Sequence, residues 1–211
     1  MLYLKKTPWI LKKLYPDRVW KMNTTENILY LTFDDGPHPE ITLFVLDQLK
    51  KHNAKATFFC IGKNVEKNFS VYEQVLAEGH KTGNHTFRHL NGWKTQDKIY
   101  LDDISDAAKI IDSNLFRPPY GRITRFQSKA ISGGNLLLKT IMWDVLSGDF
   151  DLSVSGENCY LNVINNVEPG SIIVFHDSTK AFKALRYALP RILEYYSEKE
   201  FQFRILNETG L

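Results

Sequence analysis

The stretch ILYLTFDDGP, residues 28–37, decides the fold, because it joins a strand-forming run to two carboxylates and a turn. Its first six residues are rich in β-branched and aromatic side chains, a composition that predicts a strand. Adjacent strand residues point to opposite faces, so Asp34 and Asp35 can enter one site only where the strand bends. The Gly-Pro pair that follows supplies that bend. The stretch therefore predicts a strand whose C-terminal end carries chemistry.

Outward from this strand, short β-rich runs alternate with amphipathic helical patterns nearly to the C-terminus. Further strands are predicted at Thr57–Ile61, Lys81–Gly83, Leu115–Phe116, Leu136–Val145, Ser171–Phe175 and Phe201–Leu206. Helical stripes fall at Ile41–Leu49, Tyr72–Leu76, Tyr100–Ile111, Tyr160–Val167 and Leu185–Tyr196, the last interrupted by Pro190. This alternation predicts an α/β fold with a mainly parallel sheet, either a barrel or an open doubly wound sheet.

Length and composition indicate one globular domain. The 211 residues are 43% hydrophobic and 24% charged, which is ordinary for such a domain. The net charge of +3 is too small to indicate a nucleic-acid partner, and no obligate protein partner is evident. Cys60 and Cys159 are too few for a disulfide framework, and Cys60 lies in an apolar run that predicts a buried thiol.

The N-terminal segment, residues 1–27, begins MLYLKKTPWILKKLYPDRVWKM and has apolar stretches only a few residues long. It matches neither a signal peptide nor a transmembrane segment, so we expect a cytoplasmic protein. A basic amphipathic anchor lying on a membrane is one alternative, although Pro8 and Pro16 break the helix that it needs. The alternative that we favour is a strap that packs onto the domain of residues 28–211 through Trp9, Leu14 and Trp20.

Two groups of potential metal ligands follow predicted strands. Asp34 and Asp35 would resist joint ionisation unless a cation offset their repulsion, although an isolated DDG turn is also a common Asx turn. His85 and His89 stand four residues apart, a spacing at which one helical turn lets both imidazoles reach one ion. Surface or capping histidines are the alternative. Together with Asp35, the pair makes a His-His-Asp set with open positions, as hydrolytic zinc sites require.

Two further motifs have the residues that acyl-transfer chemistry uses. FRPPYG, residues 116–121, predicts a rigid turn that can aim a main-chain N–H at a developing oxyanion, with a surface ion pair of Arg117 as the alternative. VFHD, residues 174–177, ends an apolar strand with His176, either a proton-transfer group or a satisfied core histidine. Asp149 and His176 both fall at strand ends, the face that carries chemistry in barrels.

Taken together, these motifs resemble those of the polysaccharide deacetylase family, carbohydrate esterase family four, over roughly residues 28 to 206. The family motifs TFDDG, H-S/T-x-x-H, R-x-P-Y and L-x-H correspond in order to Thr32–Gly36, His85–His89, Arg117–Tyr120 and Val174–His176. The resemblance implies a distorted (β/α) barrel of about seven parallel strands. Its site would lie at the C-terminal ends of those strands.

The resemblance also implies a cofactor and its ligands. One divalent metal would be held by Asp35, His85 and His89. Zinc fits these ligands best, and cobalt, manganese or nickel can also bind such a set. Asp34 would act as the general base, and His176 would protonate the departing amine.

The remaining roles implied by the family concern orientation and substrate contact. Arg117 would be catalytic by tuning the base, and the backbone N–H of Tyr120 would hold the oxyanion. An apolar pocket for the acetyl methyl group is expected from Val174, Phe150 and Trp143. Aromatic faces such as Trp143 or Trp93 would stack on sugar rings.

One segment departs from the family pattern. WDVLSGDF, residues 143–150, has Leu146 where the family has an acid that pairs with the arginine at the position of Arg117. Asp149 is the expected substitute from a neighbouring position. The orientation of Arg117 depends on whether this substitution takes place.

The implied function is metal-dependent removal of N-acetyl groups from an amino-sugar polymer or oligomer of the chitin, peptidoglycan or exopolysaccharide kind. The substrate partner would thus be an N-acetylated carbohydrate. A hydrolase of a C–N bond in a small amide or cyclic ureide is one alternative. A catalytically silent carbohydrate-binding relative is another, and Leu146 is the reason for considering it.

Overall fold

The computed structural model describes residues 3–134 and 136–207, which form a curled parallel sheet with surrounding helices. The strands are β1 (Ile28–Asp34), β2 (Ala56–Cys60), β3 (Lys81–Asn84), β4 (Leu115–Phe116), β5 (Lys139–Thr140), β6 (Val145–Leu146), β7 (Ile172–His176) and β8 (Gln202–Phe203). Seven of them follow the order β5-β4-β3-β2-β1-β7-β6, and β8 pairs with β1. All these pairings are parallel. This α/β half-barrel confirms the predicted fold class.

The helices cover the outside of the half-barrel. They are α1 (Trp9–Leu14), α2 (Ile41–Lys51), α3 (Gly62–Lys67), α4 (Phe69–Ala77), α5 (Asp97–Ala108), α6 (Arg125–Gly133), α7 (Gly156–Ile164) and α8 (Phe182–Glu198). Within residues 3–134 and 136–207, none of these helices has the length and apolar character needed to cross a bilayer. The outer limits of the two predicted units, residues 1–2 and 208–211, lie outside the described residues.

The central strand β1 sets the level at which the site forms. All seven of its residues are buried, because β2 and β7 flank it and helices cover it. The ring of Phe33 stacks on Phe58 at 5.1 Å and on Phe175 at 5.9 Å, which ties the three strands together. In this register Asp34 lies opposite His176. The C-terminal ends of β1 and β7 therefore bring an acid and a histidine side by side.

The predicted strand Leu136–Val145 is wrong as a single strand. The structure forms two short strands there, Lys139–Thr140 and Val145–Leu146. β5 pairs with β4, whereas β6 pairs with β7 at the other end of the strand order. The chain therefore leaves one edge of the sheet after β5 and joins the opposite edge as β6. One apolar run thus contributes a strand to each edge of an incompletely closed sheet.

The predicted interruption at Pro190 is also wrong. α8 runs without a break from Phe182 to Glu198 with Pro190 inside it. Proline removes only its own N–H from the helix ladder, although its ring also crowds the preceding turn. The buried face of α8, which includes Leu189, Ile192 and Leu193, offsets that cost by packing into the core.

Helix α6 was not predicted, although the sequence contains a signal for it. Thr124 caps the helix by accepting a hydrogen bond from the backbone N–H of Gln127 at 3.1 Å. The side chain of Gln127 accepts one in return from the N–H of Thr124 at 3.0 Å. This reciprocal pair is a capping box, which T-x-x-Q in the sequence indicates.

The N-terminal segment covers both edges of the sheet. Lys6 forms an antiparallel bridge to Val145 of β6, and Val19 forms a parallel bridge to Ile141, directly after β5. Trp20 is buried, as the strap hypothesis expects, but Trp9 and Leu14 are exposed, so that part of the hypothesis is wrong. Their exposure follows from α1, which buries no residue. The division into a strap and a catalytic domain stays a prediction.

Candidate metal and catalytic site

Three potential metal ligands converge where β1 and β3 end. Asp35 directly follows β1, His85 directly follows β3, and His89 lies in the loop beyond. Nε2 of His89 lies 3.2 Å from Oδ1 of Asp35, and Nε2 of His85 lies 3.8 Å from the same oxygen. One ligand atom from each residue lies within 4.8 Å of the others. Side chains so placed are able to share one ion.

The two histidines meet through an irregular loop, so the predicted helical turn is wrong. Thr86 and His89 have positive φ angles of 63° and 59°, which turn the chain back on itself. The side chain of Asn84 accepts a hydrogen bond from the N–H of Thr86 at 2.8 Å. The hydroxyl of Thr86 accepts one from the N–H of Leu90 at 3.2 Å. Such local side-chain bonds compete with helical ones and hold the loop open.

The carboxylate of Asp35 fits a cation. Its Oδ1 is buried and lacks a hydrogen-bond partner among the described residues, a costly state for a carboxylate oxygen. Burial raises the pKa of Asp35, but the nearby histidines His89, His176 and His85 outweigh it and leave the pKa lowered. The carboxylate is therefore ionised at neutral pH and presents an unused oxygen to the two imidazoles.

The imidazole of His85 is prepared as a ligand. Its Nδ1 lies 2.7 Å from the backbone oxygen of Arg117. Because a carbonyl oxygen only accepts, Nδ1 carries the proton and the lone pair of Nε2 faces Asp35. Burial lowers the pKa of His85 to about 4, so the ring is neutral at neutral pH, as a metal ligand must be. The residues present thus fit a divalent metal.

Asp34 is held by the buried guanidinium of Arg117, which directly follows β4. Nη1 of the fully buried Arg117 donates to Oδ1 of Asp34 at 2.7 Å and to the hydroxyl of Thr32 at 2.7 Å. Nη2 donates to the carbonyl of Met142 at 2.9 Å, and the guanidinium lies 4.0 Å from the ring centre of Phe59. These contacts fix the guanidinium and through it the carboxylate of Asp34. The alternative of a surface ion pair for Arg117 is wrong.

His176 is prepared to donate a proton. Its Nδ1 lies 2.8 Å from Oδ1 of Asp149, and its backbone N–H donates to Oδ2 of Asp149 at 2.7 Å. Burial lowers the pKa of His176, but the charge and hydrogen bond of Asp149, with the charges of Asp35 and Asp34, outweigh it and raise the pKa to about 9. The ring is thus an imidazolium near neutral pH.

The expectation that Asp149 substitutes as the partner of Arg117 is wrong. Among the described residues, Asp149 forms an ion pair with His176, whereas Arg117 forms its ion pair with Asp34 directly. Leu146 is opposite Val174 in the register, two residues before the end of β7, so it lies below the level of His176. The chain beyond β6 carries Asp149 up to that level. Leu146 therefore leaves the orientation of Arg117 intact.

Tyr120 lies in a 3₁₀ turn, Pro119–Gly121, that follows β4. Its φ of 59° is left-handed, and its ring centroid lies 4.7 Å from that of His89. The turn therefore lies against the ligand cluster. Gly121 has a φ of 67°, and a Cβ there would come within 2.7 Å of the ring of Trp143, so only glycine fits.

The side chains expected to form an apolar wall are spread over different places. The ring of Phe150 meets that of His176 edge-on, with centroids 5.2 Å apart. Trp143 packs against Gly121, and Val174 is buried within β7. Trp93 is exposed, with the guanidinium of Arg122 4.1 Å from its ring centre. Phe150 thus contacts a proposed catalytic group, and the substrate contacts stay predictions.

A cleft of about 390 Å³ opens beside Asp35 and His89, and its lining includes Asn64, which the sequence analysis did not identify, and Asp177. Asn64 lines it and donates to the backbone oxygen of Asp35 at 2.7 Å. Asp177 lines it and accepts from the N–H of Gly36 at 3.0 Å. These bonds hold the turn that carries Asp35. Nothing in the sequence marks Asn64. Asp177 follows His176 in VFHD, so the sequence places it at the end of a strand but predicts no role for it.

Residues 21–132 match the model of a family described as "Polysaccharide deacetylase". The chain belongs to the polysaccharide deacetylase family. This finding confirms the resemblance inferred from the four motifs.

Similar members of the polysaccharide deacetylase family cover most of the chain. A peptidoglycan-N-acetylglucosamine deacetylase of Bacillus cereus is 34% identical over 195 residues, which are 90% of this chain and 91% of that protein. A chitooligosaccharide deacetylase of Azorhizobium caulinodans is 31% identical, over 82% of this chain and 91% of its own length.

A solved structure is also similar over almost its whole length. It is the Bc1960 peptidoglycan N-acetylglucosamine deacetylase in complex with 4-naphthalen-1-yl-N-oxidanyl-benzamide, with a TM-score of 0.86 and 32% identity. The match covers 95% of each chain. The half-barrel is therefore the architecture of a solved deacetylase structure.

Proposed function

We propose that this chain is a metal-dependent hydrolase that removes N-acetyl groups from an amino-sugar polymer or oligomer. The observation that carries the proposal is that the proposed base is held by a cation and the proposed acid by an anion, next to one potential metal site. Asp34 is paired with Arg117, and His176 is paired with Asp149. Amide hydrolysis needs both groups, because an amine leaves only after it is protonated.

Asp35, His85 and His89 would hold the metal. A divalent ion bound there supplies Lewis-acid polarisation of the acetyl carbonyl and lowers the pKa of water. Zinc is the proposed ion because two imidazoles and a carboxylate with open positions match hydrolytic zinc sites. The Oδ1 of Asp35, which has no hydrogen-bond partner among the described residues, and the neutral ring of His85 support this choice of ligands.

The proton transfers follow from the two pairs. Asp34 accepts a proton from the attacking water as the water oxygen bonds to the acetyl carbon. His176 donates its proton to the amide nitrogen as the C–N bond breaks, which leaves acetate and a free amine. The two residues are register neighbours on β1 and β7, which supports their action on one reacting centre. Each transfer of this kind typically contributes about 10²- to 10⁴-fold in rate.

The backbone N–H of Tyr120 is proposed to stabilise the oxyanion of the tetrahedral intermediate. Its turn is fixed by two prolines before it and by Gly121 packed on Trp143 after it. A donor in such a fixed turn needs no reorganisation when charge develops. Removing a donor of this class typically slows a reaction about 10²- to 10³-fold.

The substrate class rests on relatives. The similar proteins are named as deacetylases of peptidoglycan N-acetylglucosamine and of chitooligosaccharide, two substrates that share a β-linked N-acetylglucosamine unit. We propose that this chain acts on such a unit. The cleft beside Asp35 and His89 is open to solvent and about 390 Å³ in volume, which suits part of a chain of sugars.

Acetate release from N-acetylglucosamine oligomers and from peptidoglycan tests the proposal. Wild type should release acetate, a chelator should abolish release, and added zinc should restore it. Asp34→Asn should reduce the rate at least about 10²-fold. Asp47→Asn, at an exposed carboxylate that pairs with Lys51, is the matched control and should keep full activity.

Two outcomes would contradict the proposal. Metal-loaded wild type that binds acetylated oligomers without releasing acetate would make the chain a silent carbohydrate-binding relative. Hydrolysis of small amides or cyclic ureides, with no release from any N-acetylated sugar, would favour the other enzyme alternative.

A further inference from the structure

The short helix α1 presents apolar side chains to solvent. Trp9 is 71% exposed, Ile10 53% and Leu14 55%, and the three lie on one side of the helix together with the exposed Lys13. We call these four residues the outer face of α1. Leu4, just before the helix, is 58% exposed. Single exposed apolar residues are ordinary, but this cluster on six residues of helix is not.

The outer face is a fixed feature of the fold. On the inner side, Nζ of Lys12 lies 2.6 Å from one carboxylate oxygen of the fully buried Asp144, and Nζ of Lys6 lies 2.6 Å from the other. The backbone N–H of Thr7 donates to the carbonyl of Asp144 at 2.8 Å. Two lysines on one buried carboxylate clamp the helix on both sides of its start. The apolar side is thus held outward.

The surroundings of the outer face are positively charged. Residues 3–24 contain six basic side chains, Lys5, Lys6, Lys12, Lys13, Arg18 and Lys21, against one acid, Asp17. Lys6, Lys12 and Lys21 are paired with acids of the half-barrel. Lys5 and Lys13 are exposed, and neither forms an ion pair with another described residue. The free charges therefore flank the apolar side chains.

A second copy of the chain is a poor occupant for this face. A helix of six residues is only about 9 Å long, whereas a stable interface buries about 800 Å² on each partner. Two copies placed face to face would also bring Lys5 and Lys13 together with their equivalents, and like charges repel. An anionic surface would instead attract Lys5 and Lys13.

We propose that the outer face of α1 docks the protein on the surface of a membrane that contains anionic lipids. Trp9, Ile10 and Leu14 insert at the boundary between head groups and acyl chains, where a tryptophan ring is favoured. Lys5 and Lys13 contact lipid phosphates. Pro8 precedes the helix as its N-cap residue and Pro16 follows it, so the prolines bound the docking helix and do not break it. This inference does not depend on the proposed deacetylation.

Vesicle co-sedimentation of the full chain tests the proposal. Wild type should bind phosphatidylcholine vesicles containing about 30% phosphatidylglycerol at low salt, and binding should fall at least about tenfold at high salt. The triple variant Trp9→Ala/Ile10→Ala/Leu14→Ala and the variant Lys5→Glu/Lys13→Glu should each lose binding to a similar degree. All five side chains are exposed, so the thermal midpoints should stay near that of wild type.

Phe69→Ala is the matched control, because Phe69 is an aromatic residue on α4 that is 52% exposed. It should bind as wild type does. Four results would overturn the proposal. These are failure of wild type to bind anionic vesicles, binding by the triple variant equal to that of wild type, equal binding to vesicles of phosphatidylcholine alone, and a wild-type dimer that the triple variant abolishes.

Discussion

Replacing Arg117 by methionine should destabilise the protein far more than an average core substitution. The change leaves the Asp34 carboxylate, only 4% exposed, without its cation, and removing one partner of a buried ion pair typically costs about 3–5 kcal/mol. The carbonyls of Ile141 and Met142 also lose their donor, and an orphaned buried acceptor costs about 1–3 kcal/mol. We expect a loss of at least about 4 kcal/mol from a total stability of about 5–15 kcal/mol.

Urea unfolding of chelator-treated protein measures this loss without a contribution from bound metal. Arg117→Lys, which keeps the charge but loses the planar fork, should fall between wild type and Arg117→Met. Adding Asp34→Asn to Arg117→Met removes the stranded charge and should recover about 2 kcal/mol or more. A loss below about 1 kcal/mol for Arg117→Met, or no recovery in the double variant, would refute the assignment of a buried ion pair.

Two further predictions concern His176 and Asp177. In the proposed mechanism His176 acts in its protonated form, which is lost as pH rises through its pKa of about 9. Asp149→Asn should therefore move the basic limb of the kcat profile about 1–2 pH units lower, and an unmoved limb would exclude His176 as the acid. Burial raises the pKa of Asp177 to about 7, helped by the charge of Asp35 and opposed by hydrogen bonds from Thr42 and Gly36. The stability that the protonated carboxyl contributes is complete below about pH 4 and is lost as pH rises through 7. Between pH 5 and 8, the free energy of unfolding of chelator-treated wild type should therefore fall by roughly 2–3 kcal/mol relative to that of Asp177→Asn. Parallel stability curves for the two proteins would show that Asp177 titrates normally.

The sequence carries enough information for the central sheet but not for its edges. The run at residues 28–33 forms β1 as predicted, since burial on both faces selects an apolar, β-branched composition. β5 and β6 are only two residues each, and their pairing with different neighbours depends on how far the sheet curls. That curvature is a property of the whole fold, so no local pattern reveals it.

The candidate site, like the sheet, could be predicted from the sequence only in part. The spacing of His85 and His89 indicated a shared ion. The loop that brings them together depends on positive φ angles, which the amino-acid composition does not predict. The partner of Asp149 was mistaken because strand register, which places Leu146 opposite Val174, decides which side chain reaches His176. Residues that act through backbone carbonyls, such as Asn64, leave no motif because the atom they bind exists at every position.

The cover that the N-terminal segment provides has a consequence for shortened versions of the protein. A fragment starting at residue 28 would keep every strand of the central sheet, yet it would leave unpaired the backbone N–H and C=O groups that now bond to Lys5, Thr7 and Val19. Such exposed strand edges can pair with strands of other molecules. Truncation would therefore favour aggregation of the fragment, even where its interior packing survives.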